Sequence, residues 1–163
     1  HSAGAFMATL ILLDDTFIKS IDCNYEPEQI IRGVIGLEGI YHINQMLVDF
    51  PSYLDWVVRP AFDGTHEDFE KISPAVIAKS KRLRRYALLI VHSKFDELLR
   101  VSQSELFYEA ISTAAKQTDG KHCIKYLLLD YARITHNSIV DKLEDGIQVI
   151  APHIISFVNE VLG

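Results

Sequence analysis

Three short runs of apolar residues dominate the pattern of hydrophobic and polar positions along the chain. They cover residues 34–37, 86–91 and 124–129, and each is interpreted as a buried strand. The run over 86–91 is continuous, which is typical of a parallel strand covered on both faces. Helical patterns lie before, between and after them, and a loop is predicted over 92–101. Strands that alternate with helices predict an α/β fold with a parallel, doubly wound sheet.

The predicted helices next to these strands differ in pattern. Residues 3–13 are good helix formers and apolar nearly all round, which predicts a buried helix. Residues 102–116 have one apolar face, and 147–162 form a final helix in which Pro152 is expected near the first turn. A turn is predicted over 26–29.

A helical insertion is predicted between the first and second strands, over about residues 41–80. Its aromatic-rich part, 43–62, is expected to be divided into two short helices by Pro51 and Pro60. A further short helix opens with Ser-Pro at 73–74 and ends near Lys79.

Composition and charge narrow the class of protein. The chain has 163 residues, of which 48% are hydrophobic and 23% charged, as expected for one globular domain. The net charge of −6 argues against nucleic acid as a partner, since phosphate binding needs a surplus of basic side chains. The basic run over 79–85 is interpreted as a solvated helix end. The apolar run over 7–13 is far shorter than the roughly 20 residues that span a bilayer, so no membrane partner is expected.

The two cysteines indicate a compartment. Cys23 and Cys123 lie in no CxxC motif and in no cluster with metal-ligand spacing. Free thiols in a reducing environment fit this pattern better than a disulfide framework, which predicts a cytoplasmic location.

The first four residues supply a candidate nucleophile. His1-Ser2-Ala3-Gly4 matches x-Ser-x-Gly of the nucleophile elbow Gly-x-Ser-x-Gly, in which the serine lies on a strained strand-to-helix turn. The alternative is that Ser2 only caps the following helix. Because the chain opens inside a motif and without an initiator Met, we interpret it as truncated just before the serine.

An elbow requires an acid and then a histidine, in this order along the chain and each in a loop past a strand. Asp96 and His136 follow the second and third predicted strands in this way. His136 is the predicted base that takes the Ser2 proton, and Asp96 orients it. The backbone N–H of Ala3 would donate to the oxyanion, and a second donor is expected upstream of residue 1.

Other acids and histidines were weighed for these roles. Glu38 also follows a predicted strand and is an alternative acid. Asp130 is interpreted as a cap or turn residue, and His92 as a loop or packing histidine. The remaining histidines have no strand-end partner that recommends them: His1, His42, His66, His122 and His153.

Several segments resemble fungal kynurenine formamidases (arylformamidases) of the α/β-hydrolase superfamily. Residues 92–99, His-Ser-Lys-Phe-Asp-Glu-Leu-Leu, are similar to their H-S-x-x-D-E-L-L segment. Residues 37–41 and 47–53 resemble their strand-end and lid segments. Residues 135–137 resemble their histidine loop, and residues 1–4 their elbow.

The resemblance covers most of the chain and implies the C-terminal part of an α/β-hydrolase fold with a helical lid over about 41–80. One departure is Ile134, where a small residue, often Gly, is expected. The implied reaction is hydrolysis of N-formyl-L-kynurenine to L-kynurenine and formate by Ser2, His136 and Asp96. It needs no metal or organic cofactor, and its partner is a small aromatic formamide.

The resemblance also suggests a pocket and leaves a homodimer of the full-length protein open. Four aromatic side chains could wall the substrate or could simply pack the lid helices: Phe50, Tyr53, Trp56 and Phe62. Alternative functions are a general carboxylesterase and a non-catalytic truncated fragment. Since one missing oxyanion donor costs about 10²–10³ in rate, residues 1–163 alone are expected to be inactive.

Overall fold

Three parallel strands form the sheet in the described part of the chain. The computed structural model describes residues 1–14, 16, 20, 31–81, 87–141 and 146–163. Strand β1 covers Val34–Leu37, β2 covers Ala87–Ser93 and β3 covers Cys123–Leu129, in the order β1-β2-β3. Leu37 pairs with Val91 and Ser93 pairs with Leu129, so the carboxyl ends of all three strands lie at one edge of the sheet.

Helices precede, connect and follow these strands, which confirms the α/β fold class. Their bounds are α1 Ala3–Leu13, α2 Ile43–Asp49, a π-helical turn Leu54–Val58, α3 Arg59–Ala61, α4 His66–Lys71, α5 Pro74–Ser80, α6 Ser102–Ala115, α7 Ser138–Asp141 and α8 Gly146–Leu162. No described helix is long and apolar enough to cross a membrane.

Both faces of the sheet are covered, as the continuous apolar run over 86–91 predicts. Side chains of β2 alternate between two apolar clusters. Leu88 and Ile90 face a cluster that includes residues of α1, α5 and α6, whereas Leu89 and Val91 face a cluster that includes Phe157 of α8.

A third apolar cluster joins the helical insertion to α1. Its buried members are Phe6, Leu10, Ile43, Met46, Leu47, Val58, Phe69 and Leu99. Helix α1 therefore packs against both the sheet and the insertion, which explains why its sequence is apolar nearly all round.

A buried amide fixes the path of the chain where it leaves β1. Gln103 of α6 accepts hydrogen bonds from the backbone N–H groups of Tyr41 and His42, each at 2.9 Å, and donates to the His42 carbonyl at 3.1 Å. The first two bonds satisfy backbone N–H groups that precede the helix α2 and have no acceptor within it.

The second strand is longer than the sequence predicts. The predicted loop was expected to begin at residue 92, but His92 and Ser93 belong to β2 and are fully buried. Both residues pair with β3, and this pairing outweighs the polar character of their side chains.

Two of the three expected proline effects differ in the structure. Pro51 does separate α2 from the next helical turn, as predicted. Pro60 lies in the first turn of α3, directly after the π-helical turn, where a missing N–H is tolerated. Pro152 lies inside α8 rather than in its first turn, and it is exposed.

Helix α4 was not predicted, although the sequence carries its start signal. Thr65 and Asp68 form a reciprocal capping box at its N-terminus. Several predictions fall outside the described residues: the turn at 26–29, Cys23, Tyr86 and the basic positions 82–85. The Cys123 thiol is buried and donates to Glu160 Oε1 at 3.2 Å.

Two glycines make room for a buried tyrosine below the end of β1. Tyr41 is fully buried and stacks on Phe107 with ring centroids 4.4 Å apart. A Cβ at Gly36 would overlap the Tyr41 hydroxyl oxygen. The ring carbon that carries this hydroxyl would lie 3.4 Å from the added Cβ, which is an ordinary contact distance. A Cβ at Gly39 would overlap carbons of the ring as well as the hydroxyl.

We expect Gly36→Ala to lower the free energy of unfolding by about 1–3 kcal/mol, the usual cost of overpacking. Tyr41→Phe removes the overlapping oxygen and should restore most of that loss in the double variant. The same Phe should not rescue Gly39→Ala, the matched control. Urea denaturation of the protein expressed from its complete coding sequence measures these values, and equal rescue of both glycine variants would contradict this packing.

Candidate active site

Ser2 directly precedes α1 and lies in a strained turn. Its backbone angles are φ 50° and ψ −123°, and a positive φ is rare for a residue other than glycine. Its N–H donates to the Leu37 carbonyl at 2.9 Å, which ties the turn to the end of β1. The hydroxyl makes no hydrogen bond that caps α1, so the reading of Ser2 as only a helix cap has no such bond to support it.

Ala3 is the first residue of α1. Backbone N–H groups in the first turn of a helix have no intrahelical acceptor, and the helix dipole favours negative charge there. This geometry suits the N–H of Ala3 for donation to a developing oxyanion.

Asp96 lies in the loop after β2 and is buried. Its Oδ1 accepts hydrogen bonds from the backbone N–H groups of Leu98 and Leu99, each at 2.8 Å. Its Oδ2 lies 2.8 Å from Nδ1 of His136. Backbone donors therefore hold one oxygen of the carboxylate while the other faces the imidazole.

His136 lies in the loop after β3 and is 4% exposed. Because its Nδ1 donates to Asp96, its Nε2 is left as the acceptor, the tautomer that a general base needs. Its backbone N–H donates to Glu97 Oε2 at 3.1 Å, and its carbonyl accepts from His1 Nε2 at 2.8 Å. The rings of His1 and His136 lie 4.7 Å apart, which brings the Ser2 turn next to the histidine loop.

The loops that carry the acid and the histidine are joined by one buried hydroxyl. Ser93 at the end of β2 donates a short hydrogen bond to the Ile134 carbonyl and accepts from the Phe95 N–H at 3.1 Å. The Ile134 side chain is buried in the cluster under α8. The large residue at this position, where a small one was expected, thus anchors the histidine loop to the core.

Glu38 also reaches this site. It directly follows β1, has a φ of 47° and is fully buried. Its Oε2 lies 3.7 Å from His136 Nδ1 and 3.6 Å from His1 Nε2. Neither carboxyl oxygen of Glu38 makes a hydrogen bond of normal geometry with a described residue.

Burial and the nearby charges of Asp96 and Glu97 together raise the pKa of Glu38 to about 9, and burial makes the largest part of this rise. The backbone amide of Ser93 opposes part of it. Glu38 is therefore protonated in the folded protein at neutral pH, whereas an exposed glutamate is ionised.

His92, which was interpreted as a loop or packing histidine, is a buried residue of β2. Its Nδ1 lies 2.8 Å from the Ser104 hydroxyl, and its Nε2 lies 3.3 Å from the Leu99 carbonyl and 3.4 Å from Asp96 Oδ2. Burial lowers the pKa of His92, so the ring is neutral. It contacts the loop over residues 94–101 that carries Asp96, here called the acid loop. Asp130, interpreted as a cap or turn residue, pairs with Lys94 at the surface at 2.7 Å.

Three of the four candidate pocket residues form one aromatic group beside the acid loop. Phe50 stacks on Tyr53 at 5.0 Å, and Trp56 meets Tyr53 edge-on at 4.9 Å. The Tyr53 hydroxyl donates to the Leu98 carbonyl at 3.1 Å, and the Arg100 guanidinium lies 5.3 Å from the Phe50 ring centroid. Partial burial and the nearby carboxylates raise the pKa of Tyr53, which keeps this hydroxyl a donor.

Phe62, the fourth candidate, lies apart from this group. It packs edge-on against Phe6 of α1 at 5.7 Å, in the cluster that joins the insertion to α1. Its contacts fit the alternative in which an aromatic residue packs the insertion itself.

One group of three potential metal ligands occurs in the described part of the chain. Ligand atoms of His1, Glu38 and His136 lie within 4.8 Å of one another. Both ring nitrogens that face this group already have protein acceptors, the His136 carbonyl and Asp96. Hydrogen bonding among protein groups therefore accounts for both histidines.

A cavity of about 860 Å³ lies at the opposite end of the sheet, near the start of β3 and the end of α8. It is lined by residues such as Lys121, Cys123 and Glu160. Reactive groups of parallel sheets gather at the carboxyl ends of strands, so the titratable cluster marks the candidate site better than this volume does.

Comparison with solved structures identifies the class of fold. The chain superposes on an acylaminoacyl peptidase of Pyrococcus horikoshii over 99% of its residues, with a TM-score of 0.64 and 17% identity, and covers 25% of that protein. It superposes on an esterase of Pyrococcus furiosus with a TM-score of 0.56 and 13% identity, over 99% of this chain and 52% of that one. The chain therefore has part of an α/β-hydrolase fold.

Sequence comparison confirms the resemblance to kynurenine formamidases. The chain is 38% identical to the Saccharomyces cerevisiae kynurenine formamidase over 112 residues, which is 64% of this chain. It is 30% identical to the Meyerozyma guilliermondii kynurenine formamidase over 110 residues, or 65% of this chain. The chain spans about two fifths of the length of these relatives, 42% and 40%. No protein-family model matches it.

The raised pKa of Glu38 predicts a dependence of stability on pH. The unfolded chain releases the Glu38 proton near pH 4.5, whereas the folded chain holds it to about pH 9. Between these values the unfolded state binds fewer protons, so the free energy of unfolding falls as pH rises, by up to about 1.4 kcal/mol per pH unit from one group.

We therefore expect Glu38→Gln to flatten this decline between pH 5 and pH 9. Urea unfolding at several pH values measures it, and Glu109→Gln, which removes an exposed carboxyl on α6, is the matched control. A Glu38→Gln curve parallel to that of the parent protein would show that Glu38 is ionised in the folded state.

Proposed function

We propose that the protein is a serine hydrolase that cleaves N-formyl-L-kynurenine to L-kynurenine and formate, with Ser2 as nucleophile, His136 as base and Asp96 as acid. The observation that carries the proposal is the buried contact of 2.8 Å between Asp96 Oδ2 and His136 Nδ1. It lies beside a serine whose positive φ fits a nucleophile elbow. The similarity to two kynurenine formamidases supports the choice of substrate.

The reaction follows from the positions of these groups. His136 Nε2 takes the proton of Ser2 Oγ as the oxygen attacks the formyl carbon. The carbonyl oxygen becomes an oxyanion, to which the N–H of Ala3 donates. The C–N bond then breaks, and the aryl amine leaves with the proton from His136. Water, activated by His136, attacks the formyl ester and releases formate and Ser2.

An aryl formamide suits this machinery because the aromatic ring delocalises the lone pair of the leaving nitrogen. The amine is therefore a better leaving group than an alkyl amine. In this proposal residues 41–80 act as a lid, and Phe50, Tyr53 and Trp56 face the aromatic substrate. These side chains lie beside the acid loop through the Tyr53–Leu98 hydrogen bond.

A general carboxylesterase is the second candidate, since the same groups would attack an ester. The fold likeness to an esterase favours it, but a fold alone does not determine the substrate. Turnover of p-nitrophenyl acetate without turnover of N-formyl-L-kynurenine would select this alternative.

Ser2→Ala tests the nucleophile. In the protein expressed from its complete coding sequence, we expect it to lower kcat for N-formyl-L-kynurenine by at least about 10³-fold, as for other serine hydrolases that lose the nucleophile. Absorbance of the kynurenine product measures turnover. Ser80→Ala, at the exposed end of α5, is the control and should keep parent activity. Unchanged turnover of Ser2→Ala would refute the role of Ser2.

Trp56→Ala tests the aromatic wall. The Trp56 side chain is 63% exposed although it is large and apolar, so its surface is available to a ligand. We expect its loss to raise KM about 2–10-fold, the worth of one aromatic contact, with little change in kcat. Val48→Ala removes an apolar side chain that is 72% exposed and should leave KM unchanged. Equal KM values for Trp56→Ala and the parent would show that Trp56 does not contact the substrate.

A further inference from the structure

We propose that Glu38 is a latent second acid of this site, protonated while Asp96 is ionised and able to take over its charge when Asp96 is lost. This inference rests on the proposed triad of Ser2, His136 and Asp96. It assigns Glu38 as a positioning residue that acts on the substrate only through His136.

The backbone fixes Glu38 in a conformation that turns its side chain into the site. Its φ of 47° is in the left-handed region that favours glycine. Its N–H donates to the Val91 carbonyl at 2.8 Å, so the hydrogen bonding of the sheet continues through this residue. A strained backbone held in this way is typical of functional sites.

Two carboxyl groups approach the same nitrogen of His136. Asp96 Oδ2 lies 2.8 Å from Nδ1, and Glu38 Oε2 lies 3.7 Å from it. The second distance is just outside hydrogen-bond range, so a small displacement of either side chain would close it. Glu38 Oε2 also lies 3.6 Å from His1 Nε2.

The hydrogen bonds determine which carboxyl keeps the proton. Asp96 receives the N–H groups of Leu98 and Leu99 and the imidazole, all of which stabilise its charge. Glu38 is fully buried, and neither of its oxygens makes a hydrogen bond of normal geometry with a described residue. The Ser93 backbone amide favours the Glu38 charge less than burial opposes it. Two neighbouring carboxylates in a dry site do not both ionise, so the proton resides on Glu38.

The charged and titratable groups that act on Glu38 all belong to this site. Asp96 and Glu97 oppose its ionisation, and His1 and His136 lie beside its carboxyl. Removal of the Asp96 charge would eliminate the stronger of these two opposing charges. Glu38 would then ionise at lower pH and stabilise the imidazolium of His136 during attack by Ser2.

A double-mutant cycle tests this exchange of charge. The variants Glu38→Gln, Asp96→Asn and their combination are compared with the parent protein, each expressed from the complete coding sequence. Gln has the shape of the protonated acid. Two rates are measured, kcat/KM for N-formyl-L-kynurenine and the rate at which a fluorophosphonate labels Ser2.

In the parent protein, we expect Glu38→Gln to lower both rates less than about fivefold. In the Asp96→Asn background, the same substitution should lower both rates by a factor at least about ten times larger, a coupling that is usual for groups in contact. The residual rate of Asp96→Asn should rise with pH as Glu38 ionises, and this rise should vanish in the double variant. Glu109→Gln, which removes an exposed carboxyl on α6, is the matched control and should change the rates by the same small factor in both backgrounds. Asp96→Ala repeats the test without an amide facing His136.

Three results would overturn the proposal. Equal factors for Glu38→Gln in both backgrounds would mean that Glu38 only fills space. A loss above about 100-fold in Glu38→Gln alone, with folding intact, would make Glu38 the working acid instead of Asp96. Absence of labelling in the parent protein would show that Ser2 is not an activated nucleophile and that the proposed triad is wrong. If labelling occurs without formamide turnover, the substrate assignment fails, and the labelling rates still decide the role of Glu38.

Discussion

The contact between a carboxylate and an imidazole at the edge of the sheet is the interaction on which the candidate site depends. A buried carboxylate is stable only where donors surround it, and the loop after β2 supplies two backbone N–H groups to Asp96. His136 must then reach the same point from the loop after β3. The parallel arrangement of the strands and the Ser93–Ile134 hydrogen bond bring both loops there.

The other two residues of the candidate site, Ser2 and Glu38, have strained backbone conformations. Ser2 and Glu38 are the described non-glycine residues with positive φ, and both lie next to the carboxyl end of β1. The backbone N–H of each donates to a strand residue, from Ser2 to Leu37 and from Glu38 to Val91. The sheet thus stabilises two unfavourable backbone conformations at the same strand end.

Much of this arrangement could be predicted from the sequence, because apolar runs and strand-end positions are local signals. Helix α1 and strand β1 have the predicted bounds, and Asp96 and His136 lie together where a triad requires them. The extension of β2 through His92 could not be predicted, since it depends on pairing with a strand far along the chain. The same holds for Gln103, whose partners lie about 60 residues away. Glu38 was recognisable as an alternative acid from its place after a strand, but its complete burial depends on tertiary packing.

The hydrogen bond from Tyr53 to the Leu98 carbonyl has a mechanical consequence. Leu98 also donates its N–H to Asp96, so one residue links the helical insertion to the acid. If the insertion swings outward as a unit, it pulls on the peptide that orients the carboxylate. The position of the insertion and the orientation of the Asp96 carboxylate would then be coupled.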